Sequence, residues 1–260
     1  MAVIIGLPPG ASPAGLADAD VVYTEFAEGG LTRLIAVFQS RDAARVGPVA
    51  STRPADPKLL AVFRGCVGYA GGASGFVRQF AAVGVCEISS VDHPTLFPGG
   101  FAATSRLYAA APKGLPLPPP TSAFATPGQP LAAKGGSAAT SLVVTPPGRV
   151  GQAWTYDAKA KLWRSVVAGT PVAATTVEVL TMPYKSVVVR HPRTTLSTAT
   201  VLGQGAATVV SGGTAVRGSW YRPSAKLLTN VVDGAQQLIH PAPGSTWVLL
   251  APTGSTVVVR

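Results

Sequence analysis

Two glutamates and an arginine lie around a glycine pair near the start of the chain. Glu25 and Glu28 precede Gly29-Gly30, and Arg33 follows. A carboxylate can act as a general acid or base, and a guanidinium can bind an anion or stabilise developing negative charge. The neighbouring residues are β-branched and aromatic, so an ionised group among them must be paired or hydrogen-bonded. These side chains are therefore the first candidates for a functional site.

The glycine pair predicts a tight two-residue turn between two strands. In the resulting hairpin, Glu28 pairs with Leu31, and Arg33 lies diagonally from Glu28 on the same face. Glu25 then points to the opposite face, because side chains alternate along a strand. The two carboxylates of a glycosidase site must face one cleft, so this geometry weakens the interpretation of the glutamates as a catalytic pair.

Two further candidate positions follow along the chain. Arg53 and Asp56 lie where a helix is predicted to begin. A strand, a turn at Gly71-Gly72, a helix and a second strand at 85–89 then predict a βαβ unit. A glycine turn before a helix lets the backbone approach a ligand closely, and the first amides of the helix favour an anion.

Length and composition predict two domains. The chain has 260 residues, of which 47% are hydrophobic and 12% charged, with 29 Gly and 24 Pro. This composition is typical of a β-rich, loop-rich globular protein and excludes disorder. Residues 1–136 are predicted to form a mixed α/β domain with a buried hairpin and the βαβ unit. Residues 137–260 carry many short strands between turns, which predict a mainly antiparallel all-β domain, a sandwich or partial barrel.

The net charge of +10 is concentrated in the second half. Residues 1–136 hold ten Lys/Arg and eight Asp/Glu, a net charge of +2, whereas residues 137–260 hold eleven and three, a net charge of +8. Such a field attracts anionic polymers, and a solubilising surface charge is the alternative. Because the basic residues are scattered, with no basic helix or known motif, no nucleic-acid partner is predicted.

The cysteines and histidines do not show metal-ligand spacing. Cys66 and Cys86 each lie at the edge of a predicted strand, so a disulfide in an oxidising compartment and two buried free thiols both remain open. His93, His191 and His240 are far apart, each beside a proline. We therefore predict neither a metal site nor a cofactor.

No apolar run is long enough to predict a membrane-spanning helix. The first residues lack the basic segment, apolar run and cleavage site of a signal peptide. The chain opens directly inside a predicted strand, which is the pattern expected if a leader precedes it in the full protein and has been removed.

Several motifs together resemble the YerB-like bacterial lipoproteins, a family classed as domain of unknown function 3048. They are the hairpin stretch at 15–39, Val46-Gly-Pro-Val-Ala-Ser-Thr-Arg-Pro-Ala-Asp56, Tyr69-Ala-Gly-Gly72, Trp154-Thr-Tyr-Asp157 and Pro243-Gly-Ser-Thr-Trp247. The resemblance covers nearly the whole chain. It implies a location on the extracytoplasmic face of the cell envelope, through a lipid-modified leader that tethers the protein to the membrane. It implies no established activity.

The resemblance also implies a set of polar positions and one departure. The family's characteristic polar residues correspond here to Glu25, Glu28, Arg33, Arg53 and Asp56. Where the family has Pro-His-Asn-Leu-Tyr, this chain has Thr104-Ser-Arg-Leu-Tyr108, and so lacks the histidine and the asparagine. If that histidine serves as an acid, base or ligand in the family, this member has lost it.

Three functional hypotheses follow. In the first, the protein binds an anionic envelope polymer or a small anionic ligand, and the candidate ligand-binding residues are Arg33, Arg53, Tyr69, Gly71, Gly72, Arg106 and Tyr108. In the second, it is a hydrolase of an envelope glycan or ester, with Glu25 or Glu28 as acid or base and Asp56 as the partner carboxylate. In the third, the ion pairs only hold the scaffold together.

Overall fold

A computed structural model describes residues 1–116, 118–119, 136–190 and 193–260. His191 and part of the proline-rich run at 112–120 therefore lie outside the described residues. Within them the first half of the chain contains three α-helices, α1 (Asp56–Leu60), α2 (Ser74–Ala82) and α3 (Thr104–Ala110). Its strands are β1 (Ala2–Gly6), β2 (Val21–Phe26), β3 (Thr32–Val37), β4 (Cys66–Tyr69) and β5 (Cys86–Ser89).

The second half of the described chain consists of strands. They are β6 (Ser137–Ala138), β7 (Ser141–Thr145), β8 (Gln152–Asp157), β9 (Leu162–Val167), β10 (Thr170–Ala174), β11 (Thr176–Met182), β12 (Tyr184–Arg190), β13 (Arg193–Ala199), β14 (Gly203–Ser211), β15 (Thr214–Arg222), β16 (Asn230–Asp233), β17 (Thr246–Pro252) and β18 (Thr256–Val259).

Eleven of the described strands form one mixed sheet. Its order is β16-β15-β14-β11-β17-β2-β3-β1-β4-β5, and β6 pairs with β15. Strand β17, from near the C-terminal end, lies parallel to both β11 and β2 and so connects the two halves of the chain. A second sheet has the order β10-β9-β8-β7-β18, and β12 and β13 form a separate hairpin.

The predicted fold class is confirmed. The first half is mixed α/β, and β4, α2 and β5 form the βαβ unit with parallel strands. In the second half the strand pairs are antiparallel except for the pair of β11 with β17. The division into domains at 136/137 stays a prediction, because the large sheet is continuous across the two halves.

The central strands are buried on both faces of the large sheet. Along β1, Val3 and Ile5 face one core, and Ile4 faces the other. The first core contains Trp154, Trp163 and Trp247, packed between the two sheets, and the second is covered by α1, α2 and the segment that follows α1. Burial on both faces explains why these strands are apolar at most positions and do not alternate, with Glu25 and Arg33 as the charged exceptions on β2 and β3.

The predicted turn of the first hairpin is wrong by one residue. Glu25 pairs directly with Arg33 and Phe26 with Thr32, so residues 27–31 form a five-residue loop. Glu28 to Gly30 form a 3-10 turn in which Gly29 and Gly30 have φ angles of 64° and 77°. The glycines therefore lie within a wider turn. Because a shift of one residue moves side chains to the other face, Glu25 and Arg33 share a face.

The two cysteines form a disulfide. Cys66 on β4 lies directly opposite Cys86 on β5, with Cα atoms 4.4 Å apart, and the two sulfurs are bonded. Of the two alternatives that the sequence leaves open, the structure therefore supports the disulfide. The bond joins the two parallel strands that bracket α2.

We expect the disulfide to stabilise the fold by restricting the unfolded chain. Replacement of both cysteines by alanine should lower the free energy of unfolding by about 3 kcal/mol, since the closed loop is about 20 residues long. Denaturant unfolding with and without a reducing agent measures this. The reductant should destabilise the wild type and leave the double variant unchanged; equal sensitivity of the two proteins would contradict the prediction.

Candidate functional site

Arg33 binds two carboxylates in the interior of the protein. Its Nη1 lies 2.6 Å from Oε2 of Glu25, and Asp56 accepts hydrogen bonds from Nη1 at 2.6 Å and from Nη2 at 2.9 Å. Arg33, Glu25 and Asp56 are 4%, 1% and 0% exposed. We call these three residues the buried cluster. It connects β2, β3 and the first turn of α1.

Backbone amides add further hydrogen bonds to both carboxylates of the buried cluster. Asp56 accepts from the amide of Arg53 at 2.7 Å, and Glu25 accepts from the amide of Ala199 on β13 at 3.2 Å. Burial raises the pKa of Glu25, an effect that Arg33 opposes and Asp56 reinforces. Although burial disfavours the charge of Arg33, the carboxylates of Asp56 and Glu25 hold its pKa above the ordinary value.

The geometry of the buried cluster does not suit catalysis. Glu25 and Asp56 share one guanidinium and lie out of reach of solvent, so neither has a position from which to exchange a proton with a substrate. The cluster suits a structural role, because charges that are taken out of water must be paired and hydrogen-bonded.

We expect Arg33→Met to be strongly destabilising, since it leaves two carboxylates buried without their cation. The free energy of unfolding should fall by about 3–5 kcal/mol. Arg164→Met is the matched control, because Arg164 pairs with Asp157 on the surface at 2.8 Å and its loss should change the free energy of unfolding much less. Urea titration of both variants tests this, and losses of similar size would contradict it.

Beside the buried cluster lies an open cleft with a volume of about 400 Å³. We call it the Arg53 cleft. One wall is the loop that precedes α1, the second is the turn that precedes α2, and the third is the β12–β13 hairpin. The residues that line it are Glu28, Ser51, Thr52, Arg53, Gly72, Ala73, Val189, Thr194 and Leu196. It lies beyond the carboxyl end of β4, where open sheets with parallel strands commonly bind ligands.

The Arg53 guanidinium is partly engaged. Its Nη2 lies 2.5 Å from Oε1 of Glu28, and its Nη1 donates to Ser51 Oγ at 2.7 Å and to the Thr52 carbonyl at 3.1 Å. Its Nε is buried and has no partner among the described residues. The other oxygen of Glu28 accepts from the amide of Ser197 on β13 at 3.2 Å. Although partial burial opposes ionisation, the hydrogen bond from Arg53 holds the pKa of Glu28 below its usual range.

Thr52 provides a second unpaired donor. Its side chain is 1% exposed, and Oγ1 has no hydrogen-bond partner in the described part of the chain. A Cβ atom at position 72 would collide with this oxygen, and Gly72 has a φ angle of 137°. Glycine is therefore required at this turn, both for the close approach and for the backbone conformation.

The start of α2 completes the cleft. The N-cap residue is Ala73, so no side chain satisfies the first amides of this helix. Free amides at a helix N-terminus favour negative charge. Two residues that line the cleft, Arg53 and Thr52, therefore each carry an unused buried donor, and the uncapped start of α2 follows the cleft residue Ala73.

The structure brings together only some of the predicted site residues. Glu28, Arg53 and Gly72 line the cleft, and Gly71 joins its wall through its carbonyl, which accepts from the Thr52 amide at 3.1 Å. Arg33, Glu25 and Asp56 lie in the buried cluster.

The remaining predicted ligand-binding residues do not line the described Arg53 cleft. Tyr69 is buried and donates to Glu87 at 2.9 Å. On α3, Arg106 is exposed, and the Tyr108 hydroxyl donates to the Phe38 carbonyl at 2.6 Å.

Sequence reasoning missed Thr52 and the hairpin wall of the cleft. Thr52 directly precedes Arg53 in the 46–56 motif. Its position beside a candidate arginine was the signal that could have identified it. Val189, Thr194 and Leu196 are more than a hundred residues away along the chain. Nothing in their local pattern indicates that they face Arg53.

Glu178 is a second group that the sequence did not point to. It lies on β11 and lines a small cavity of about 40 Å³ together with Tyr23, Arg222 and Thr246. Burial raises the pKa of Glu178 to about 7. Arg222 is 1% exposed and donates to backbone carbonyls, including that of Lys58 at 2.9 Å.

The raised pKa of Glu178 predicts a pH-dependent stability. A carboxyl group whose pKa is higher in the folded than in the unfolded chain stabilises the fold below its unfolded pKa, and this contribution is lost as the pH rises through about 7. Glu178→Gln should match the wild type at about pH 4.5 and be more stable by roughly 2–3 kcal/mol at about pH 8. Denaturant unfolding at both values measures it. A stability difference between Glu178→Gln and the wild type that does not change with pH would contradict the raised pKa of Glu178. Asp157→Asn, which changes a surface carboxylate, is the control.

Comparison with known proteins establishes the family of this fold. The chain belongs to the family described as "Protein of unknown function (DUF3048)": the N-terminal domain of that family matches residues 1–107 and its C-terminal domain matches residues 143–248. The predicted resemblance is thus confirmed. In the described part of the chain, no helix has the length and hydropathy needed to cross a membrane.

A sequence match and a structural match were both found with the protein YerB of Bacillus subtilis. The chain is 46% identical over 54 residues to "Putative lipoprotein YerB", a match that covers 20% of this chain and 16% of YerB. The crystal structure of YerB protein from Bacillus subtilis superposes with a TM-score of 0.76 at 19% identity, covering 99% of this chain and 93% of that one. The sequence match thus spans about a sixth of YerB, and the structural match shows the shared fold.

Proposed function

We propose that this protein binds an anionic ligand in the Arg53 cleft. The observation that carries the proposal is that two residues lining one open cleft hold unused buried donors, the Thr52 hydroxyl and the Arg53 Nε. The uncapped N-terminus of α2 begins directly after the lining residue Ala73. A buried donor without a partner is costly, and a ligand oxygen that accepts from it recovers that cost. Arginine and helix amides both suit phosphate and carboxylate groups.

Two features support a role on the extracytoplasmic face of the cell envelope. The disulfide is of the kind that persists in oxidising compartments. The relative YerB carries the name of a lipoprotein, the class of protein that a lipid-modified leader tethers to a membrane. The ligand would then be an anionic envelope polymer or a small anionic molecule, and the net charge of +8 on residues 137–260 would attract it over a longer range.

The binding hypothesis is better supported than the hydrolase hypothesis. Glu25 and Asp56, two of the three candidate carboxylates, are sealed in the buried cluster. Glu28 reaches the cleft, but Arg53 holds it ionised, and no second carboxylate is among the described residues that line the cleft. A general acid–base mechanism would need a group whose pKa is tuned toward the working pH, and the pKa of Glu28 is shifted away from it.

We expect Arg53→Leu and Thr52→Val to weaken anion binding at least about tenfold, because each removes a donor to a charged group. Titration calorimetry with inorganic phosphate and with a poly(glycerol phosphate) polymer measures this at low salt. Binding of the polymer should fall steeply as salt is added.

Arg164→Leu is the matched control, since it removes the same charge from an exposed pair. Thermal melting checks that each variant is folded. If the wild type binds neither probe at low salt, or if Arg53→Leu and Thr52→Val bind as the wild type does, the proposal is wrong.

A further inference from the structure

Glu28 lines the Arg53 cleft and places its carboxylate against Arg53. Its two carboxylate oxygens take separate donors, the Nη2 of Arg53 at 2.5 Å and the amide of Ser197 at 3.2 Å. The Nη1 of Arg53 already donates to the Ser51 hydroxyl and to the Thr52 carbonyl. Among the contacts of the described residues, Glu28 is therefore the group that neutralises the face of Arg53 toward the cleft.

We propose that Glu28 is an internal substitute for the ligand, and that the ligand is the free carboxylate end of a chain, such as the C-terminus of a peptide, which takes the place of Glu28 on Arg53. This inference depends on the proposed anion-binding function of the same cleft. It deepens that function in two ways. It names the chemical class of the ligand, and it makes Glu28 a competitor of that ligand.

The position of Glu28 allows this exchange. The side chain is 30% exposed, in contrast to the carboxylates of the buried cluster. It lies in the 27–31 loop, where Gly29 and Gly30 have positive φ angles and face open space. A partly exposed ion pair of this kind contributes little to stability. A ligand that offers more contacts than Glu28 can therefore displace it.

The shape of the cleft favours a carboxylate on an aliphatic chain. A carboxylate already fits the two donors, because Glu28 itself is one. The Thr52 hydroxyl and the Arg53 Nε make no hydrogen bond to Glu28 and are donors that only the incoming group would use. Val189 and Leu196 form an apolar part of the opposite wall, which suits small aliphatic side chains next to the carboxylate.

Displacement of Glu28 would also free the amide of Ser197 on the hairpin. The neighbouring contact from Ala199 to Glu25 belongs to the buried cluster and would remain. Ligand exchange would thus release the hairpin at one of its two carboxylate contacts while leaving it anchored at the other.

The test uses the full chain and N-acetyl-alanyl-alanine, with its C-terminal amide as the comparison. Glu28→Ala should bind the free acid more tightly than the wild type does, by a factor of about 1.4 to 5, which is the fold-change equivalent of a partly exposed ion pair. The amide should bind to neither protein. Asp157→Ala is the matched control: it also removes one carboxylate from an arginine pair, but far from the cleft, and should leave the affinity unchanged.

Each outcome has a distinct meaning. If neither the wild type nor Glu28→Ala binds the peptide acid, inorganic phosphate or the polymer, the anion-binding function itself is wrong. If both bind the acid equally, or Glu28→Ala binds it less tightly, the binding function stands and the competitor role of Glu28 is wrong. A preference of Glu28→Ala for phosphate over the acid overturns the carboxylate class. Melting curves check folding, and Glu28→Gln, which keeps the size of the side chain, replaces Glu28→Ala if the alanine variant does not fold.

Discussion

The pairing of one buried guanidinium with two buried carboxylates organises the functional region of this protein. Arg33 holds Glu25 on the neighbouring strand and Asp56 at the start of α1. None of the three is accessible to solvent, so each depends on the other two for its charge to be tolerated. The hydrogen bonds of the Glu25 and Asp56 carboxylates connect the first hairpin, the start of α1 and the end of β13.

The buried cluster also positions the candidate site. Asp56 accepts from the backbone amide of Arg53 and so sets the direction in which the Arg53 side chain leaves the loop. Glu25 accepts from Ala199 and so holds β13 against the first half of the chain. The Arg53 cleft lies between these two fixed elements. The buried cluster thus supports a second ion pair, between Arg53 and Glu28, which is more exposed and whose side chains have space to move.

The topology of the sheet joins the two family domains structurally. Strand β17 is inserted between β11 and β2, parallel to both, so residues from near the two ends of the chain share one ladder. The cleft has walls from both halves for the same reason. A ligand bound there would contact both family domains at once.

The amino-acid sequence by itself determined the class of fold, the βαβ unit and the family. It also singled out Glu25, Glu28, Arg33, Arg53 and Asp56 as candidate polar positions. Local patterns carry this information, since apolar periodicity, glycine turns and charged residues in apolar runs are all visible within short stretches. What only the tertiary structure decided was the pairing of those charges. The sequence paired Glu28 with Arg33 through a tight turn, whereas the loop is wider, and Arg33 takes Glu25 and Asp56 while Glu28 takes Arg53. Thr52, the hairpin wall and Glu178 acquire their roles from contacts between residues far apart in the chain, and no local pattern encodes which distant group will be a neighbour.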